Sequence, residues 1–566
     1  MEPDGHILVP VGPEAWRWRT FDSTRTLVVA ARTVTSLVRV LDVLPAVVHD
    51  DPRVAVVFAY DPSSAFSNGV LDLLGSLGCR TLPWSQLKDI KPDLLLSASE
   101  NIDVPAGDYP VLVLPHGVGF QKLVPDSAGP STRLSGLVPD ELLAAGRVWL
   151  TVSHPEQERQ LVAAQPSTAG RTVLVGDPCF DRLRTSSRWR DRYRAAFGVS
   201  QGQRLVLLSS TWGSGSLIAN RPGLPAALLA QLPADEFRVA LVLHPNVWSG
   251  HGAWQVRSML QTAVEAGLVV IDPTNGWQQG LVASDLVIGD HGSVTLYGAA
   301  IGRPVLLGAF GAESVPQTAG YALRSAAAWL ATGVALRAQV DEAMAGHRPD
   351  RFAEISERAF ADPGHAQPKI RQLVYDLLEL TVPDGSDRGT HMYPPPPPPA
   401  GNRVTSMLVE TTTVGGSAEQ VCVEVRRYPA AVAEEGGERD GVFWHLACDV
   451  DEPDTRLSES ASVLLRGGAA VSQELGLSRI ADMLADFPGA QLAALAAEDG
   501  CLLGLRDGGV LMAAAPTGPQ PAPGLAAAGV YACLRLGSRA FDPVGSVRLR
   551  SGEHEQELRL RPILRA

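Results

Sequence analysis

Near-continuous apolar runs, separated by longer helix-like stretches, dominate the chain up to residue 309. The first set is TLVVAA at 26–31, RVAVVFA at 53–59, DLLLSA at 93–98, PVLVLP at 110–115, RVWLTVS at 147–153 and TVLVG at 172–176. A strand with no polar side must be covered on both faces, and such strands alternating with helices predict a parallel sheet flanked by helices. Residues 20–185 thus read as one doubly wound α/β unit within an N-terminal domain over 1–185. The pattern restarts with RLVLLSS at 204–210, RVALVLH at 238–244, GLVVID at 267–272, DLVIGD at 285–290 and PVLLGA at 304–309. It follows the polar, helix-compatible SSRWRDRYRAAFGV at 186–199, and predicts a second unit over 186–380. Two such units place a cleft between the carboxyl ends of their strands, where ligands of these sheets bind.

Residues 381–404 break the pattern with six consecutive prolines at 394–399. Such a run favours an extended polyproline II spacer over a packed segment. Beyond it, MLVETTTV, VCVEVRRYP and VFWHLACDV alternate as strands, SRIADMLADF at 478–487 reads as a helix, and CLLGLRD, GVLMAAA, VYACLRLG and SVRLRS read as further strands. The unit over 405–566 is therefore expected to be α+β and mostly antiparallel. The acidic DVDEPD at 449–454 lacks the register of a calcium loop and reads as a solvated turn.

Composition narrows the partners. Of 566 residues 45% are apolar and 19% charged, as in an ordinary globular protein, and the length calls for several domains. The net charge of −13, with no compensating Lys/Arg-rich segment, argues against nucleic acid. The N-terminus has no basic segment followed by an apolar core, and no apolar run approaches the roughly 20 residues that span a bilayer. The expected location is the cytoplasm, with 405–566 left to meet a protein partner or a membrane surface. Six scattered cysteines without C-x-x-C spacing read as free core thiols, so no structural metal is expected. The P-loop, H-E-x-x-H and G-x-S-x-G patterns are absent from the sequence.

Polar and glycine-rich residues cluster directly after the strands: His116 and Gly117 after 110–115, GDPCFD at 176–181, STWGSG at 210–215, HPN at 244–246 and DHGSVT at 290–295. Five such positions facing one cleft point to a site. In SDLVIGDHGSVTLYGAAIGRPVLL, a strand runs into a turn at Asp290–Gly292, and Ser293 opens a helix that Gly302 ends. Ser293 and Thr295, with the free amides of that helix start, would make a donor-rich anion site of the kind that holds diphosphates. The plainer alternative is that Ser293 caps the helix, a role worth about 1 kcal/mol.

PHGVGFQKL, VGDPCFDRL, SSTWGSG, LVLHPN and ASDLVIGDHGSVTLYGAAIGRPVLL, in this order, resemble the motifs of the CDP-glycerol glycerophosphotransferase-like proteins over roughly 110–310. The resemblance implies a GT-B fold of two Rossmann-like domains. The family's His-Gly falls on His116 and Gly117, followed by Lys122; its Gly-x-Pro-x-x-Asp falls on Gly176, Pro178 and Asp181. Its Thr-Trp falls on Thr211 and Trp212, and its His-Pro on His244 and Pro245. Its Asp-Tyr-Ser-Ser becomes Asp290, His291, Gly292 and Ser293, so a tyrosine and a serine are replaced.

By this resemblance the chain is a metal-independent transferase. It would move glycerol phosphate or a glycosyl group from a CDP- or UDP-linked donor to a hydroxyl acceptor, the donor being a substrate and no further cofactor being needed. His116 is the implied general base, a task that suits an imidazole at neutral pH. His244, as imidazolium, would neutralise the leaving phosphate. Thr211, Gly213, Ser214, Asp290, Gly292, Ser293 and Thr295 are the candidate donor-binding residues, and Gly117 and Lys122 those for the acceptor. Lys122 holds an acceptor phosphate or is a solvated loop charge; Asp181 and Asp290 read as hinge and turn residues. The altered DHGS and the proline run also support a rival reading, a GT-B scaffold that binds nucleotide without turnover and recruits a partner through 405–566.

Overall fold

The structure is a computed structural model, and it describes residues 15–18, 20–48, 50–125, 132–385, 389–398, 403–417, 420–436, 439, 441–537 and 545–563. Both expected parallel sheets form. In the first the strands lie in the order Thr81–Pro83, Val54–Tyr60, Arg25–Ala31, Leu94–Ser97, Val111–Val113, Val148–Val152, Thr172–Leu174, every neighbour parallel. In the second the order is Val269–Val270, Phe237–Leu243, Arg204–Ser210, Leu286–Gly289, Val305–Leu307, Ala328–Trp329, again all parallel. Residues 26–31 and 205–210 are buried throughout, which is why these strands carry no polar alternation. In each sheet the chain winds out to one edge, then restarts beside the first strand and winds to the other. The two reversals, between Arg25–Ala31 and Leu94–Ser97 and between Arg204–Ser210 and Leu286–Gly289, open crevices at the strands' carboxyl ends.

The units exchange elements. Helix Ala366–Leu377, counted by sequence with the second unit, returns to the first and packs on helix Val34–Val48, with Ile370, Val374 and Leu378 in the core beside Leu37 and Val40. Arg371 Nε donates to Ala46 O at 2.9 Å, and Tyr375 OH to Asp51 Oδ2 at 2.8 Å. In return Cys179, Phe180 and Leu183 join the core of the second unit, where Phe180 and Tyr297 both stack on Phe360.

The proline-rich segment departs from the free spacer expected of it. Its backbone is extended, but Tyr393 is only 4% exposed and wedged between both units. Tyr393 N donates to Ser186 Oγ at 3.0 Å, its carbonyl accepts from Tyr193 OH at 2.6 Å, and Gln279 Nε2 donates to Pro394 O at 2.8 Å. Residues 393 and 396 are buried while 394, 395, 397 and 398 are exposed, the three-residue period of a polyproline II helix lying on a surface.

The C-terminal unit is a closed barrel of nine strands, from Ser406–Ser417 to His554–Pro562, in which six pairings are antiparallel and three parallel. The expected strand VYACLRLG is instead the end of helix Pro523–Arg535, which the barrel encloses. Its small residues admit close approach: a Cβ on Gly529 would stand 2.7 Å from Leu549. A helix buried on all sides has no amphipathic period, and an apolar run without one reads equally as a strand. The barrel docks on the second unit, where Ala234 N donates to Arg427 O at 2.8 Å and Arg427 pairs with Asp235. No helix among the described residues is long and apolar enough to cross a membrane.

Candidate functional site

A cavity of 490 Å³ lies between the carboxyl ends of the two sheets. The first unit contributes Glu100, His116, Gly117 and Lys122, and the second Thr211, Trp212, His244, Gly292 and Ser293. The motifs singled out in the sequence therefore converge here because each follows a strand of one sheet or the other at the same end.

His116 leaves strand Val111–Val113 with its side chain 45% exposed to the cavity, and its Nδ1 faces Glu100 Oε2 at 3.9 Å. Lys122, expected on the acceptor side, reaches across to the second unit. Its Nζ donates to Thr211 Oγ1 at 3.5 Å and stands 4.7 Å from the centre of the Trp212 ring. Burial lowers the Lys122 pKa, against Glu313 and Asp290, which raise it. Trp212 also meets Phe66 of the first unit at 5.5 Å and His244 at 6.4 Å, so an aromatic group bridges the units at this end of the cavity.

His244 caps helix Pro245–His251, its Nδ1 accepting from Asn246 N at 3.1 Å. Burial, then Lys122 and His116, push its pKa down to about 3. With Nδ1 taken by that amide, a neutral His244 ring carries its proton on Nε2 and has a hydrogen-bond donor there. Ser293 is the first residue of helix Ser293–Ala300 and not its cap; Gly292 holds the cap position. The freed Ser293 hydroxyl accepts from Val118 N at 3.2 Å across the cleft.

Asp290 is fully buried and acts inside the loop layer. Its Oδ2 accepts from Thr211 N at 2.9 Å and Leu217 N at 2.7 Å, and its Oδ1 from Gly292 N at 2.9 Å, tying the 211–217 loop to the 290–293 turn. Thr295 points away from the cavity: it is fully buried, its Oγ1 finds no hydrogen-bond partner among the described residues, and a Cβ on Gly289 would strike it. Gly213 turns the loop at φ 88°, and Ser214 borders a second cavity of 670 Å³ with Arg221, Phe310, Glu313 and Trp329. His291 lines the first cavity and Glu313 the second, and their Nε2 and Oε1 stand 3.0 Å apart. Among the described residues no group of acids, histidines and cysteines could hold a metal ion.

Sequence reasoning passed over three contributors. Glu100 lies just beyond strand Leu94–Ser97, a position whose polarity could have drawn attention. Asp177 sits inside GDPCFD; it pairs with Arg39 at 3.0 Å, accepts from Tyr297 OH at 2.8 Å and caps helix Pro178–Ser186 through Phe180 N. Arg39 in turn donates from Nε to Pro115 O at 3.1 Å, so the peptide before His116 is fixed by a network reaching both units. Asp181 accepts from Gly364 N at 2.6 Å and Ala366 N at 3.0 Å, holding the chain where it returns to the first unit.

No family model matches the chain, and no curated protein matches it. Among solved structures the chain is similar to the wall teichoic acid polymerase TagF, at 12% identity and a TM-score of 0.42, over 63% of this chain and 89% of that one. It is also similar to the UDP-GlcNAc 2-epimerase from Neisseria meningitidis bound to UDP-GlcNAc, at 12% identity and a TM-score of 0.38, over 62% of this chain and 99% of that one. A further similar structure is S. aureus MnaA with UDP, at 13% identity and a TM-score of 0.37, over 64% of this chain and 100% of that one.

Proposed function

We propose that the chain is a transferase that moves a group from a nucleotide-activated donor to a hydroxyl acceptor within the inter-unit cleft. The observation that carries this reading is that His116 and Lys122 of the first unit and His244, Ser293 and Val294 of the second line one cavity, with Lys122 reaching Thr211 of the second unit. The phosphates of the donor lie against the helix start and His244, where amides and a neutral N–H donor meet developing negative charge. Lys122 supplies the full positive charge. The nucleoside extends past His291 toward the cavity bordered by Phe310, Trp329 and Glu313. His116 removes the proton of the acceptor hydroxyl.

The transferred group in this reading is glycerol phosphate or a sugar, carried on a CDP- or UDP-linked donor. The test is a binding screen of CDP, UDP and their linked donors, combined with donor hydrolysis in the absence of acceptor. Binding with slow hydrolysis is expected. Binding with complete silence over the panel would favour the non-catalytic scaffold, and no binding of any nucleotide would remove both readings.

A further inference from the structure

Glu100 belongs to none of the sequence motifs, yet the fold delivers it to the reacting side of the cavity. It follows strand Leu94–Ser97 through a tight turn in which Ser97 Oγ donates to Ser99 O at 2.8 Å and accepts from Ser99 N at 2.9 Å. The residue is only 8% exposed. One carboxylate oxygen is engaged: Oε1 accepts from Gly136 N at 3.1 Å. Gly136 adopts φ 97°, and a Cβ there would strike the Phe120 ring, so glycine is what lets that amide come close. The other oxygen, Oε2, faces His116 Nδ1 at 3.9 Å, and His116 is the ionic partner of Glu100 among the described residues. A carboxylate is costly to bury without a partner for its charge.

We infer that Glu100 is the positioning residue for His116. The inference rests on the proposed role of His116 as base. The imidazole is 45% exposed, and a turn of the ring that closes the remaining distance lets Nδ1–H donate to Oε2 and leaves the lone pair of Nε2 toward the acceptor. In the transfer step the acceptor proton passes to Nε2 while the acceptor oxygen bonds to the donor's transferred group. The bond from that group to the nucleotide phosphate breaks, and the nucleotide leaves with the electron pair. The Glu100 carboxylate stabilises the imidazolium until the ring gives its proton to solvent. A histidine oriented by a carboxylate in this way is a recurring arrangement for proton transfer.

The test reads the ring directly. In protein carrying ¹⁵N-labelled histidine, with His116 assigned by comparison with His116→Asn, the neutral wild-type imidazole is expected in the Nδ1–H tautomer. Glu100→Gln keeps an oxygen for Gly136 N–H and is expected to fold, but to shift the ring toward Nε2–H. With whichever CDP- or UDP-linked donor turns over, Glu100→Gln should lower kcat by about 10² with little change in KM, and add no further loss to His116→Asn. A wild-type ring in the Nε2–H form overturns the inference even if Glu100→Gln fails to fold. So does a folded Glu100→Gln with unchanged tautomer or unchanged kcat. Failure of the wild type to process any donor defeats the transferase reading instead, and leaves the tautomer to decide the pairing.

Discussion

The Ser293 hydroxyl accepts the amide of Val118 at 3.2 Å, and the same oxygen stands 2.7 Å from where a Cβ on Gly117 would lie. One side chain thus joins the helix start of the second unit to the histidine turn of the first. Ser293→Ala is expected to cost about 1 kcal/mol of stability for the lost bond, and to weaken nucleotide-diphosphate binding by more than that, because a donor to charged oxygen is also lost. Gly117→Ala should push the turn from the helix and lower turnover more than stability. Thermal unfolding and ligand titration on the same samples check both; equal losses in the two measurements would make Ser293 only a clasp between the units.

His116→Asn is expected to retain fold and donor binding while turnover falls by about 10² to 10⁴, the worth of a positioned general base. Single-turnover measurement at saturating donor separates this from a binding defect. A variant that turns over normally would move the base elsewhere in the cleft.

The parallel strands were legible in the sequence because full burial leaves an uninterrupted apolar run, as in 26–31 and 205–210. His116, His244 and Ser293 were legible because each follows such a strand at its carboxyl end. What they touch was not. The bond from Ser293 to Val118 spans 175 positions and the one from Arg39 to Asp177 spans 138, and no local pattern records such pairings. Helix Pro523–Arg535 was hidden for a different reason: enclosed by the barrel, it lacks the polar face by which a helix is recognised. The strands Thr81–Pro83 and Ala328–Trp329 are too short to show any period.

Acid should destabilise the folded chain through two histidines. His244 and His445 each lie at about 3, against 6.5 for an ordinary histidine, with burial the leading cause in both. Below pH 6.5 the unfolded chain binds protons that the folded chain refuses, so stability is lost as pH falls from 6.5 toward about 3. The slope is at most about 1.4 kcal/mol per pH unit for each histidine. His445 is 2% exposed, and neither ring nitrogen has a hydrogen-bond partner among the described residues. His445→Leu should therefore raise stability at pH 7 and flatten the acid slope by one proton. Denaturant unfolding between pH 4.5 and 7 reads both, and an unchanged slope would mean that His445 titrates normally in the barrel.

The proline-rich strap makes a prediction opposite to that of a free linker. Tyr393 OH lies 3.0 Å from Asp42 Oδ2 and 3.5 Å from Cys179 Sγ, and the Arg182 guanidinium covers its ring at 3.9 Å. Burial raises the Asp42 pKa, and Arg182, Arg39 and the Tyr393 hydroxyl oppose that rise. Tyr393→Phe removes one partner of Asp42 but keeps the ring, so about 1 kcal/mol should be lost with the strap still seated. Tyr393→Ala empties the socket, at a cost of about 3 to 5 kcal/mol if the strap stays in place. Release of the strap is the expected response, because its other anchors are one buried proline, Pro396, and a few hydrogen bonds. Limited proteolysis is therefore expected to spare residues 389–398 in the wild type and Tyr393→Phe, and to cut them in Tyr393→Ala. Because Asp42 and Cys179 also border the cavity, the alanine variant should lose turnover along with its resistance to protease. Rapid cleavage of the wild type in this stretch, or equal cleavage of all three proteins, would show that Tyr393 does not hold the strap.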